Sequence, residues 1–318
     1  MTCAVVFAYH NVGVRCLSVL LAHGVRVPLV LTHTDDPQET HWFDSVAQLA
    51  ALHDIPVITP DDPNAPDIVA RVSAARPDFL FSFYYRRMLR KELLALPARG
   101  AFNMHGSLLP KYRGRVPVNW AIIHGETETG ATLHHMTEQA DSGAIVDQQA
   151  VPILPNDTAF DVFHKVTCAA EITLHRCLPA VLAGTAQALP QDLTQGARFG
   201  SRRPEDGIID WSKSAQAIHN LVRAVAPPYP GATTTLAGQP MRILKTLLAP
   251  GRTARASSPS FYCEGGRCYA DCGDGGVLRI VAFEINGSIN GSPMDAQTFI
   301  KNYGTAPIAL STNIRKQQ

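Results

Sequence analysis

The sequence carries almost no net charge. Over 318 residues, Lys+Arg 28 stand against Asp+Glu 27, a balance of +1. That balance removes any whole-chain pull toward nucleic acid or an anionic membrane surface. Long apolar runs are missing as well. No stretch reaches the roughly 18 consecutive apolar residues of a membrane span, and the opening MTCAVVFAYH has neither a charged leader nor a long apolar core. A cytoplasmic chain without membrane insertion is expected. The fingerprint G-x-G-x-x-G is absent: FAYHNVG follows the first apolar run without it, which argues against nicotinamide or flavin chemistry, and there is no P-loop. Cysteines are few, seven in all (Cys3, Cys16, Cys168, Cys177, Cys263, Cys268 and Cys272). Their odd, scattered distribution reads as reduced thiols. The last three are spaced by five and four with no flanking histidine, so neither a zinc ribbon nor any other metal site is expected. Two N-G-S triplets, at Asn286 and Asn290, read as turns rather than glycosylation sites.

What is present is regular. Hydrophobic residues make up 46% and charged residues 17%, the composition of an ordinary globular protein long enough for two domains. Apolar runs at 4–8, 27–31, 55–58, 78–83, 101–104, 131–136 and 144–151 read as buried strands. Helical stripes separate the first of them: Val14, Leu17, Leu20 and Leu21 closed by Gly24, then Val46, Leu49 and Leu52, then 67–75 before Pro77. This alternation predicts an α/β fold, a Rossmann-like, doubly wound, mostly parallel sheet. Thr158 and Asp161 have capping-box spacing at the start of a long helix running to Ala183, bent by Pro179. A polar stretch at 191–206 reads as a linker between a catalytic domain at 1–190 and a second domain at 207–318. That second domain has one helix stripe (Ile218, Leu221, Val222, Val225) and then short runs broken by Gly-rich turns, the pattern of a small OB-like β-barrel.

Ligands of such sheets bind beyond the carboxyl ends of the strands. Three strand ends there carry polar groups: FSFYYRRML (81–89), FNMHGS (102–107) and HHMTEQADSG (134–143). Asn103 and His105 are two apart and project from one face of their strand. With Asp141 they form a set containing an amide donor, a proton shuttle and an orienting carboxylate. Ser107 lacks the strand–Ser–helix elbow of a hydrolase nucleophile, which favours direct attack of one substrate on another. Each feature also has a plainer reading. The histidine suits a hydrogen-bonded strand end, Asp-Ser-Gly at 141–143 a turn, Lys111, Arg113 and Arg115 a solvated loop, and His134-His135 strand alternation with one ring inside. On spacing alone both readings stand.

The segment FNMHGSLLPKYRGRVPVNWAIIHGETETGATLHHM, with ADSGAIVDQ after it, resembles the signature of the 10-formyltetrahydrofolate-dependent formyltransferases. The stretches VVFAYHNVG, LTHTDDP, FSFYYRRML and PVNW are most similar to the formyltransferase domain of the bifunctional enzyme of UDP-4-amino-4-deoxy-L-arabinose, and the later RAVAPPYPGA also fits the family. The decarboxylase half of that enzyme is absent, so a stand-alone formyltransferase is expected. The resemblance implies the formyltransferase fold, 10-formyltetrahydrofolate as co-substrate, no metal, and a nucleotide-linked amino sugar as partner rather than nucleic acid. It places the catalytic residues on Asn103, His105 and Asp141. It places folate contacts on the backbone of Arg87, Met88 and Leu89, on Arg115, and on the loop Thr137, Glu138, Gln139 and Ala140 up to Asp141. That loop departs from the family in having no basic residue. Cations of the 111–115 loop, or Arg202 and Arg203, are expected to hold a diphosphate. Methionyl-tRNA formylation is the alternative, and a dTDP-linked sugar another. From residue 205 onward, 11 Lys+Arg against 8 Asp+Glu leave little for gripping tRNA.

Overall fold

The computed structural model describes residues 2–37, 41–285 and 294–311; the triplets at Asn286 and Asn290 lie outside the described residues. In chain order the first elements are β1 (Cys3–Ala8), α1 (His10–Ala22), β2 (Arg26–Leu31), α2 (Val46–Leu52), β3 (Val57–Ile58), α3 (Pro66–Ala74), β4 (Phe79–Phe83), α4 (Lys91–Leu94) and β5 (Ala101–His105). Next come β6 (Arg113–Gly114), α5 (Pro117–Ile123), β7 (Glu128–His135), β8 (Ile145–Pro152), α6 (Ala159–Ala183) and β9 (Arg198–Phe199). A 3-10 turn at Pro204–Gly207 precedes α7 (Ala215–Val225), β10 (Ala232–Leu236), β11 (Gln239–Leu248), β12 (Ser260–Glu264), β13 (Arg267–Asp271), β14 (Val277–Ile285), α8 (Ala296–Tyr303) and β15 (Ile308–Ala309).

Seven strands form one sheet in the order β3-β2-β1-β4-β5-β7-β8. The pairs from β3 through β5 are parallel. All residues of β1 and β4 are buried, which is why both read as unbroken apolar runs. The order reverses between β1 and β4, so the crevice of a doubly wound sheet opens over the ends of those strands and of β5 beside them. The last two pairings are antiparallel, β5 with β7 and β7 with β8. The loop 136–144 between β7 and β8 is too short for a crossover helix, so only an antiparallel return is available. A second, six-stranded sheet is antiparallel, order β10-β11-β14-β13-β12-β15, a half-barrel in keeping with the small OB-like β-barrel expected for the second domain.

The chain divides into two compact units: Met1–Pro117, Glu128–Pro152 and Phe163–Ser201 in the first, Val118–Thr127, Ile153–Val162 and Arg202–Gln318 in the second. Stretches within 1–190 therefore group with the C-terminal residues. The capping box opens α6 as expected: the Asp161 carboxylate accepts from the Thr158 N–H at 2.9 Å, and the Asp161 N–H donates to the Thr158 hydroxyl at 3.2 Å. Among the described residues α6 alone is long and apolar enough to cross a membrane by length and composition. Half of its most apolar window is buried, and its other face pairs Glu171 with Arg15 and Arg176 with Asp147.

Two expectations change. The stretch 191–206 is not a plain linker, because β9 within it pairs in parallel with β6. The cysteines are not all reduced: Cys263 and Cys268 are register partners across β12 and β13 and form a disulfide, while Cys272 stays free and buried. A separation of five with a Gly265-Gly266 turn reads as scatter in sequence, yet an antiparallel hairpin sets the two side chains face to face.

Candidate active site

Asn103 and His105 stand on β5, which delivers both to the crevice end of the sheet. Their register partners on β7 are His134 and Thr132. Asp141 arrives from the loop after β7, in a left-handed backbone conformation (φ 57) that aspartate tolerates better than most residues. Its side chain is 10% exposed, with Oδ1 3.5 Å from His105 Nδ1 and 3.6 Å from His134 Nε2. Oδ2 accepts the backbone N–H of Gly114 at 2.8 Å. Burial by itself would raise the Asp141 carboxyl; the neighbouring His105 and His134 rings and the Gly114 N–H outweigh it and hold the group well below the usual carboxylate range. Asp141 is a fixed anion at physiological pH.

His105 is 6% exposed, and its Nε2 lies 2.9 Å from the Tyr112 carbonyl. A carbonyl only accepts, so Nε2 carries a proton and Nδ1 faces the carboxylate. The loop carrying Tyr112 is fastened from below. The Thr132 hydroxyl donates to the Ser107 carbonyl at 2.6 Å, Gln148 Nε2 donates to the Leu109 carbonyl and to the Thr132 hydroxyl at 2.8 Å each, and Ser107 Oγ donates to the Lys111 carbonyl at 2.6 Å. Ser107 is fully buried in that task, so it is no nucleophile. Gly106 follows the histidine because a Cβ there would stand 1.7 Å from the Tyr84 hydroxyl.

The basic loop is anchored by the stretch 191–206 that carries β9. The Arg113 guanidinium, 8% exposed, donates to the carbonyls of Leu193 at 3.0 Å and Gly196 at 2.6 Å. That corrects its assignment as a diphosphate ligand: Arg113 is spent inside the fold. Gly114 has φ 101, and a Cβ on it would meet the Phe199 carbonyl at 2.1 Å. Glycine alone keeps this N–H on Asp141 while β9 lies against β6. Asn119 of PVNW is equally committed, its Nδ2 donating to the Ala224 carbonyl at 2.7 Å within the second unit.

The expected folate residues lie on loops at the same sheet edge. Arg87 and Met88 are exposed after β4, Met88 by 48%, while the Leu89 side chain is buried in the core. Arg115 is exposed, and its guanidinium reaches the Arg86 carbonyl at 3.3 Å, tying the basic loop to the β4 loop. Thr137, Glu138 and Gln139 are exposed and Ala140 is half-buried. This loop is shaped by Thr137 Oγ1 and Ser142 Oγ, both donating to the Gln139 carbonyl, at 2.8 and 2.7 Å. The Tyr85 hydroxyl is buried without a hydrogen-bond partner, and burial pushes it up to about 12. His10 and His33, after β1 and β2, are pushed down by burial to about 3 and about 4, so neither changes charge near neutrality. Among the described residues no group of three or more His, Cys, Asp or Glu is arranged to hold a metal ion. His134 is the member of the site that sequence reading missed. Its signal was the alternation itself, which puts the inward ring of His134-His135 opposite Asn103.

An amide donor, an imidazole and a buried carboxylate at the end of a doubly wound sheet, with the Ser107 hydroxyl committed to a backbone carbonyl, suit transfer of a group between two bound substrates. The chain belongs to the formyl transferase family. The Formyl transferase model matches residues 18–178, and the Formyl transferase, C-terminal domain model matches 202–304. Solved structures share the fold. An N-formyltransferase from Helicobacter canadensis, in complex with folinic acid and dTDP-3-aminofucose, is 23% identical with a TM-score of 0.69, covering 88% of this chain and 99% of that one. WlaRD, a sugar 3N-formyltransferase solved with dTDP and 5-N-formyl-THF, is 22% identical with a TM-score of 0.70, covering 91% and 99%. HypX from Aquifex aeolicus is 16% identical with a TM-score of 0.62, covering 96% of this chain and 48% of that one.

Proposed function

We propose that this formyltransferase carries a formyl group from 10-formyltetrahydrofolate to the amine of a nucleotide-linked amino sugar, UDP-4-amino-4-deoxy-L-arabinose of lipid A modification being the acceptor its sequence resembles most. The observation carrying the reading is the Asn103, His105 and Asp141 cluster on a chain of this family. The neutral amine attacks the formyl carbon and negative charge gathers on the formyl oxygen. The Asn103 amide and the His105 ring meet that charge; removing one such donor costs about 100- to 1,000-fold in rate. The carbon–nitrogen bond to the folate then breaks as the departing nitrogen takes a proton and the amine gives one up. We assign that proton transfer to His105, whose Nδ1 faces the Asp141 carboxylate at 3.5 Å.

The edge residues fit a folate. Met88 offers exposed apolar surface, Arg87 and Arg115 supply cations for carboxylates, and the buried Tyr85 hydroxyl lacks a partner. A sugar acceptor is favoured over tRNA because the cation surplus from residue 205 onward is small, 11 Lys+Arg against 8 Asp+Glu, and several of those cations are committed. Arg242 pairs with Glu284, Arg252 with Glu264, and Arg223 is buried on the Asn220 side chain. The test is a panel of UDP- and dTDP-linked amino sugars and methionyl-tRNA, each with 10-formyltetrahydrofolate and read by mass of the product. Formylation of a UDP-4-amino sugar at the highest kcat/KM is expected; formylated tRNA with inert sugars would end the reading.

A further inference from the structure

His134 is 2% exposed and directly opposite Asn103 in the β5–β7 register. Its Nδ1 lies 2.8 Å from the His135 carbonyl. That acceptor holds a proton on Nδ1, and with Asn103 Nδ2, a donor only, against the other ring nitrogen, Nε2 is the accepting atom of this pair. Nε2 lies 3.1 Å from Asn103 Nδ2 and 3.6 Å from Asp141 Oδ1, so the amide is its nearer partner. A bare ring nitrogen accepts an amide N–H but repels an amide oxygen.

We propose that His134 is a positioning residue that decides which way the Asn103 amide faces. The amide's nitrogen and oxygen are nearly equal in size, and rotation about the last side-chain bond exchanges them. With one N–H committed to His134, the second N–H of Nδ2 is left to donate to the formyl oxygen. Turned over, the amide would set its own oxygen lone pair against Nε2 and lose that donor arrangement. Because the two residues are cross-strand partners, the backbone ladder sets their separation. The inference rests on the proposed role of Asn103 as oxyanion donor.

A double-mutant cycle separates the two claims. Steady-state kcat and KM are measured with 10-formyltetrahydrofolate and the best UDP- or dTDP-amino sugar of the panel, for the wild type, Asn103→Ala, His134→Ala, the double variant and His134→Gln. Expected are a kcat loss of about 10- to 100-fold for His134→Ala with both KM values within about twofold, and a double variant no slower than Asn103→Ala. Most of the loss should be regained in His134→Gln, whose side-chain carbonyl accepts the same N–H. Losses that multiply in the double variant, a Gln variant as slow as the Ala variant, or an effect confined to KM would overturn the proposal while the role of Asn103 stands. Near-normal turnover of Asn103→Ala would overturn both.

Discussion

Asp141→Asn isolates the charge at the centre of the site. Asparagine tolerates the left-handed backbone at this position, and its side-chain oxygen can keep the Gly114 N–H, so shape is retained and charge removed. The carboxylate stands 3.5 Å from His105 Nδ1 with 10% of its side chain exposed. At an effective dielectric constant of about 20 this pair is worth about 5 kcal/mol. Part of that is offset because a buried carboxylate no longer has to be desolvated, leaving about 2–4 kcal/mol less support for the imidazolium. If the imidazolium is needed in the transition state, kcat falls by about 30- to 1,000-fold. The assay is acceptor-dependent release of tetrahydrofolate at pH 7, with folate binding followed by fluorescence to show that the site is intact. The pH dependence of stability gives a second reading. Asp141 is held below its unfolded value of about 3.9. Its stabilisation is therefore complete above that value and lost as pH falls through the folded one, so the stabilities of wild type and Asp141→Asn converge below about pH 4. A folded Asp141→Asn protein with turnover within threefold of wild type refutes the charge argument.

Gly114→Ala places a methyl 2.1 Å from the Phe199 carbonyl at φ 101. It should cost about 2 kcal/mol of stability and at least about tenfold in kcat, since the N–H on Asp141 moves with the backbone; melting curves and turnover check both. Asn119→Ala leaves the Ala224 carbonyl buried without its donor and should cost about 1–3 kcal/mol of stability while acceptor preference in the panel stays unchanged; a changed preference would make Asn119 a substrate contact. Thiol labelling of the unreduced, denatured protein should modify five cysteines and leave Cys263 and Cys268 unmodified; seven labels would show them reduced. Replacing both by alanine should lower stability by about 2 kcal/mol, the chain-entropy value for so short a loop.

Much of the first sheet was legible because strands buried on both faces leave unbroken apolar runs, as AVVFA and DFLFSF do. The Asn103–His105 pair was legible from two-residue periodicity at a strand end. Antiparallel pairing of β7 was not, because direction depends on the return of the chain and leaves no mark in composition. The four-residue α4 and the seven-residue α5 are shorter than the windows in which helical periodicity shows. Arg113 looked like a solvated cation because its carbonyl partners at Leu193 and Gly196 are some eighty residues away in sequence. The same distance hid β9, whose two residues carry no pattern of their own. His134 was visible as an inward ring, but its task depends on facing Asn103 across the ladder, which only the register reveals.

The most direct test of the central claim is a rapid-quench single turnover with 10-formyltetrahydrofolate labelled in the formyl carbon, enzyme in excess, and a UDP-4-amino sugar as acceptor. With Ser107 fully buried and its hydroxyl bound to the Lys111 carbonyl, the account predicts that label passes from folate to sugar amide and is never found on protein. Label trapped covalently on the protein, or released only as formate, would contradict it.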